Sequence, residues 1–217
     1  MSTVELLEEY IQTGNNLALT NLLKTDPSLA NCSTSFNISP LMLSCYYKKP
    51  EIASTLLSYI KDPNIHEAAA VGKFDSVANI IYHYPQSINA FSSDGFTPLG
   101  LASYFGNEEV ARYLLLKGAD PNISSQNGFR VFPLHSSVAA NYTGITKILL
   151  EAGAEVNVSQ ASGLTPLHSA AHLGNIEVLI LLLEAGANIT AKTDDGKSPS
   201  DMAQAAGHTD IASILAY

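Results

Sequence analysis

Apolar positions in this chain come in short bursts of helical spacing, each closed by a glycine or another turn residue and most reopened by a proline. The pattern is clearest between Leu164 and Gly186. Leu167, Ala170 and Ala171 share one side of a short helix, Gly174 ends it, and Val178, Leu181 and Leu182 recur at the spacing of a second helix. Pro166 has no N–H to lose in the first helical turn, and Thr165 before it supplies an oxygen that can cap the helix. Such a pair of helices cannot bury its own apolar face, so its stability has to come from stacking on neighbours.

The phrase around that proline returns at a nearly fixed interval. F-T-P-L-G-L-A starts at Phe96, F-P-L-H-S-S-V at Phe132, L-T-P-L-H-S-A-A at Leu164 and K-S-P-S-D-M-A at Lys197. The prolines Pro98, Pro133, Pro166 and Pro199 lie 35, 33 and 33 residues apart. Eight positions after them stand Gly106, Asn141, Gly174 and Gly207, and Gly118, Gly153 and Gly186 follow twenty positions after the first three, each with Ala next. A period of 33 carrying T-P-L-H-x-A, two helices and G-A-[DN]-x-N resembles the ankyrin repeat, most closely from Gly163 to Lys192. The resemblance covers residues 95–217. It implies an all-α solenoid of helix-turn-helix units with β-hairpin-like loops, and the phrase variants are also similar to those of bacterial ankyrin proteins.

The first ninety residues follow the same grammar less regularly. Ser39-Pro40-Leu41-Met42-Leu43 aligns with the phrase, Lys48 takes the turn, and Ile52, Leu56 and Leu57 form a second helical face. His66 to Ala69, Gly72, Val77, Ile80 and Ile81 make another copy with a shortened hairpin, and Val4 to Leu23 a further one around Gly14. Pro27 with Asn31 and Pro85 with Asn89 mark two copies of one variant repeat. The expectation is seven units, near 2–36, 37–63, 64–94, 95–127, 128–162, 163–195 and 196–217, in one domain spanning 1–217. The first and last units are expected to be caps, with Glu5, Glu8 and Glu9 on an outer face and Ser200 and Asp201 replacing Leu and His.

Composition narrows the function. The formal net charge is −9, from 20 acidic and 11 basic residues, and no basic cluster exceeds Lys48-Lys49, so a phosphate-neutralising track for nucleic acid or an anionic membrane is not expected. There is no long apolar run and the N-terminus is acidic, which reads as a cytoplasmic chain, monomeric by itself. Cys32 and Cys45 form no disulfide framework, although Cys32 could be reactive.

Local signals of chemistry mostly dissolve into the repeat. His168 and His172 are spaced as zinc ligands on one helix face, but no Glu or Cys accompanies them, and no metal or cofactor is expected. By resemblance, His66, His135 and His168 take the repeat's histidine position, where the ring hydrogen-bonds backbone between repeats. Asn31, Asn37, Asn122, Asn141, Asn157 and Asn188 each open an N-x-[ST] triplet, read here as turn residues that tolerate positive φ rather than glycosylation sites. No catalytic constellation stands out, and no enzymatic activity is expected.

What remains is surface. The resemblance implies that hairpin tips and first helices line a concave face that binds partner proteins. On it the sequence places Tyr46, Tyr47, Tyr104, Phe105, His172 and Leu173 before the turns, and Phe36, Ile38, Phe91, Phe96, Phe129, Val131 and Leu164 on the hairpins. In the fifth unit Gly128 precedes its proline by five residues where Gly95, Gly163 and Gly196 precede theirs by three. The enlarged finger offers Phe129, Arg130, Val131 and Phe132, expected with Phe96, Tyr104 and Phe105 to form the contact hot spot. The expected function is a non-catalytic protein-interaction module. A dedicated inhibitor or immunity-type regulator of one enzyme is the alternative, and a metal- or small-molecule-binding protein a third reading.

Overall fold

The computed structural model describes residues 2–216, and among them it is all-helical. Two compact units, Met1–Pro85 and Gln86–Tyr217, divide the chain, a boundary the sequence pattern does not mark. The first holds three helix pairs: α1 (Thr3–Thr13) with α2 (Asn16–Thr25), α3 (Pro40–Tyr46) with α4 (Pro50–Leu57), and α5 (Ile65–Val71) with α6 (Phe74–His83). The second holds four: α7 (Pro98–Phe105) with α8 (Glu108–Leu116), α9 (Pro133–Ala139) with α10 (Thr143–Glu151), α11 (Pro166–Leu173) with α12 (Ile176–Glu184), and α13 (Pro199–Ala205) with α14 (Thr209–Ile214). The proline-to-asparagine segments Pro27–Asn31 and Pro85–Asn89 are both 3-10 turns.

Local chemistry sets the helix starts. Proline occupies the first turn of α3, α7, α9, α11 and α13. Ser39 Oγ accepts from Met42 N–H and Thr97 Oγ1 from Gly100 N–H. Where the proline is missing, a reciprocal capping box takes over: Ser2 with Glu5 opens α1, and Asn64 with Glu67 opens α5.

Each unit packs in two layers. In the first, α3 lies against α1 and α5 while α2 lies against α4; in the second, α7, α9, α11 and α13 stack in order, with α8, α10 and α12 behind them. Leu99, Leu101, Leu114, Leu134, Ile145, Leu149, Leu167 and Leu182 are fully buried between these layers. Each such side chain contributes about 1.5–3 kcal/mol over its exposed state. Ala170 and Ala171 are buried in α11, which packs on α9, α12 and α13, and are small enough to let helices approach.

Two expectations are corrected here. Glu8 does not lie on an outer face. It is buried, and its carboxylate accepts from the Ser35 backbone N–H at 2.5 Å and from Ser35 Oγ at 2.8 Å. The asparagines are likewise more than turn formers, since only Asn37 and Asn141 of the six take positive φ. Asn122 accepts from Glu155 N–H and donates to the Gly153 carbonyl; Asn157 does the same with Asn188 N–H and the Gly186 carbonyl. Asn89 accepts from Asp120 N–H in the same way. These side chains tie one repeat to the next within residues 86–217.

Candidate functional site

The loops that precede first helices are tight fingers. In four of them a backbone N–H reaches the carbonyl four residues on: Thr34 to Ile38, Ser92 to Phe96, Gln160 to Leu164 and Thr193 to Lys197. In the remaining one the span is six, Ser125 to Val131, so Phe129 and Arg130 are the inserted residues. Both are exposed, Phe129 at 67%, and Arg130 takes φ +53°. Asn127 Oδ1 accepts from Phe129 N–H, and Ser125 Oγ from Val131 N–H, which holds the longer finger in one shape.

Neighbouring fingers of this unit are joined by backbone rungs. Gln126 donates to the Gly95 carbonyl, Ala161 to that of Phe129 and Asp194 to that of Ser162, at 2.8–3.0 Å. The finger at Thr34 follows a first repeat that lacks one, and there the Glu8 carboxylate takes the acceptor's place at Ser35. Two buried histidines add a second set of ties. His135 Nε2 is 3.0 Å from the Leu164 carbonyl and His168 Nε2 is 3.1 Å from that of Lys197, so each donates from Nε2 to the following finger. On the other ring nitrogen, Nδ1 accepts from Phe132 N–H and Thr165 N–H respectively. Burial lowers the pKa of both, that of His135 to about 4. His66 does not belong with them. It sits one position earlier, and Glu67 occupies the equivalent place in α5 as the capping-box carboxylate.

At the far end of the first helices lie the turns into the second helices. Tyr104 and Phe105 meet edge-on at 5.0 Å between ring centroids, and Tyr104 is 41% exposed. Beside them the Tyr142 ring lies across Gly106, so close that a Cβ there would meet Tyr142 Cζ at 2.5 Å. The His208 ring covers Gly174 in the same manner, and Asn175 hydrogen-bonds Asn141 between these two turns.

The expected contact residues separate into groups. Phe36, Tyr47, Tyr104, Phe129, Arg130, His172 and Leu173 are exposed; Tyr46, Phe91, Phe96, Phe105, Val131 and Leu164 are half-buried. Ile38 and Phe132 are corrected to the core. They are 8% and 9% exposed, because Ile38 is pinned through its carbonyl to Thr34 and Phe132, as N-cap of α9, packs its ring on His135. Phe96 and Phe105 bracket α7, about 12 Å long, so the finger and the turn aromatics are two patches at opposite helix ends. Tyr142 was not among the expected residues, nor were the exposed Tyr82, Tyr84, Ile176 and Ile180. Tyr142 follows the turn position instead of preceding it, and the others face away from the helical core stripe.

Chemistry elsewhere is quiet. Burial raises the thiol pKa of both cysteines, that of Cys45 to about 12, which disfavours a reactive thiolate at Cys32 as well. Among the described residues no group of three His, Cys, Asp or Glu side chains is placed to hold a metal ion, and no helix is long and apolar enough to cross a membrane.

A family model described as ankyrin repeats, in three copies, matches residues 7–125, 65–160, 115–193 and 134–217. The chain belongs to the ankyrin-repeat family. Among curated ankyrin-bearing proteins it is similar to the ankyrin repeat and SAM domain-containing protein 6 of Rattus norvegicus, 31% identical over 44% of this chain and 15% of that protein. It is also similar to the DNA-binding protein RFXANK of Homo sapiens, 39% identical over 32% of the chain and 27% of that protein. The E3 ubiquitin-protein ligase KEG of Arabidopsis thaliana is 29% identical over 64% of the chain and 9% of its own length. The chain thus spans a small part of each relative. Ankyrin repeats generally mediate protein–protein interaction, and the family is typically non-catalytic.

Proposed function

We propose that this chain is a non-catalytic protein-interaction module whose partner docks on the finger and first-helix side of residues 86–217. The observation that carries the reading is the inserted Phe129-Arg130 pair, exposed at the tip of a finger whose backbone is locked by Asn127, Ser125 and a rung to Ala161. An exposed aromatic beside an arginine on a rigid support is the composition of an interface anchor, and little ordering entropy is lost when it is used. Within residues 1–85, Phe36 on the finger before α3 and Tyr47 at the end of α3 are exposed as well, at opposite ends of that helix. The chain is proposed to work as a monomer in the cytoplasm, and its acidic balance disfavours a nucleic acid partner.

The test is affinity capture from the native lysate with the intact chain, a Phe129→Ala/Arg130→Glu variant and a Tyr82→Ala control. Loss of the captured protein with the finger variant alone supports the reading. Equal capture by all three refutes it.

A further inference from the structure

The residue before the finger glycine changes from one finger to the next. It is Asp94 before Gly95, Asn127 before Gly128, Ser162 before Gly163 and Asp195 before Gly196. Asn127 is thereby the one asparagine of the chain that a glycine follows; Asn37, Asn64, Asn79, Asn122, Asn175 and Asn188 are all followed by isoleucine. An asparagine side-chain amide can be attacked by the backbone nitrogen of the next residue, and a bulky side chain on that residue blocks the approach. Glycine leaves it open, and at Gly128, with φ +85°, a Cβ would meet nothing within 4 Å.

The finger brings the parts of that reaction together. Phe129 N–H donates to Asn127 Oδ1 at 3.2 Å, closing an Asx turn whose ring contains both Asn127 Cγ and the Gly128 nitrogen, so electrophile and nucleophile share one small loop. Ser125 Oγ donates to the same Oδ1 at 2.7 Å, and its hydroxyl is oriented by the Val131 N–H that it accepts at 3.0 Å. The oxygen that gathers negative charge as the nitrogen attacks therefore has two donors already aimed at it. Asn127 and Gly128 are exposed, and among the described residues neither the Asn127 amide nitrogen nor Gly128 N–H donates to another group. Asn122 is the opposite case. Its amide is held at both ends, by Glu155 N–H and the Gly153 carbonyl, and Ile123 follows it.

We propose that Asn127 is a self-deamidation site that converts the finger, once and irreversibly, to an acidic form. The Gly128 nitrogen bonds to Asn127 Cγ as the Cγ–Nδ2 bond breaks; the Gly128 proton leaves with Nδ2 as ammonia, and a cyclic imide remains. Water then opens the imide at either carbonyl, giving aspartate or isoaspartate. Aspartate suits the finger, because Asp94 and Asp195 hold the corresponding place and accept from the Ser92 and Thr193 hydroxyls as Asn127 does from Ser125. Isoaspartate lengthens the main chain between Gln126, which bonds the Gly95 carbonyl, and Phe129, whose carbonyl takes Ala161 N–H. Either product makes the formal net charge of −9 one unit more negative and sets a carboxylate three residues before Arg130. What this does to a partner rests on the protein-interaction reading above; the chemistry itself does not.

The test is to incubate the folded full chain over days in neutral and mildly alkaline buffer, then cleave after lysine and arginine, which releases residues 118–130 with Asn122 and Asn127 in one peptide. The peptide is expected to gain the mass difference between an amide and an acid. Fragmentation should place the change at Asn127, as aspartate and isoaspartate, with Asn122 intact, and the rate should rise with pH because the attacking nitrogen loses its proton. Asn127→Ser, which copies Ser162 of the next finger, should leave the peptide unchanged. Ser125→Ala removes one of the two donors and should slow the conversion at least about tenfold. The readout needs no partner, so its failure is told apart from failure of the Phe129→Ala/Arg130→Glu capture experiment. An intact Asn127 after incubation, equal change at Asn122, or conversion in Ser125→Ala as fast as in the intact chain or faster overturns the proposal.

Discussion

A ring nitrogen that accepts a hydrogen bond cannot also carry a proton, and His135 and His168 each accept at Nδ1 while donating at Nε2. Burial opposes the charge on both rings, and protonation would also set an Nδ1–H against a backbone N–H. The folded pKa of His135 is therefore lowered, to about 4 from 6.5. The unfolded chain binds that proton first, so the contribution is fully present above about pH 6.5 and is lost as pH falls toward 4, a difference of about 3 kcal/mol. His168 adds to it in the same direction. Urea unfolding followed from pH 7 to pH 4 should show the midpoint falling across that window, and a His135→Gln variant should show a shallower fall; a slope unchanged by the substitution would contradict the role given to the ring. Glu8 is the other residue whose work is specific. Glu8→Ala leaves Ser35 N–H and Oγ without their acceptor and should cost about 1–3 kcal/mol, read as a lower urea midpoint, whereas Glu9→Ala on the exposed neighbour should be nearly neutral. The sequence pattern could show that a first helix starts near Ser2 but not that Glu8 turns inward. Its partner Ser35 is 27 residues away, and nothing in the local period links the two.

Among elements, the fingers show most directly how far a pattern can be read. Helix starts and stops were legible because proline, threonine and glycine act through their own backbone geometry. The two-residue insertion was legible for the same reason, as a changed distance between Gly128 and Pro133. Inward and outward positions on the fingers were not, because these loops turn too tightly to alternate like strands; Ile38 and Phe132 were expected on the surface and are in the core. The rungs between fingers were hidden too, since a backbone bond leaves no side-chain signature. Gly95 gives them a test. It has φ +82°, and a Cβ there would meet the Asn127 backbone nitrogen at 2.9 Å, while Gly118, at φ +92°, has nothing within 4 Å of that position. Gly118→Ala should cost about 1–2 kcal/mol from backbone strain alone. Gly95→Ala should cost measurably more in the same denaturation assay, because the neighbouring finger's backbone has to move; equal costs would mean that the fingers are not held in register. Deleting Phe129 and Arg130 should instead leave the thermal midpoint within a few degrees of the intact chain, because a four-residue span closes the other fingers.

For the whole chain, the repeat explains why so much of the architecture was visible and so little of the partner. Each unit is specified by contacts with its nearest neighbours, so one phrase repeated with small changes determines the fold. What a partner would touch is the set of departures from that phrase, and those are the positions where the period carries no information. The asparagine ties at Asn89, Asn122 and Asn157 illustrate the division. The triplets at Asn122 and Asn157 and the Pro85–Asn89 spacing are visible in the sequence, but the role of these side chains appears only once one repeat's backbone N–H is placed over the previous repeat's side chain. The central proposal is that the Phe129-Arg130 finger anchors a protein interface on this scaffold. The most direct measurement is to identify the captured partner from the native lysate and determine its affinity for the purified intact chain and for the chain lacking Phe129 and Arg130. At least a tenfold loss of affinity is expected, with an unchanged circular dichroism spectrum and a thermal midpoint within a few degrees, about what removal of a two-residue interface anchor costs. Full affinity in the deleted chain would contradict it.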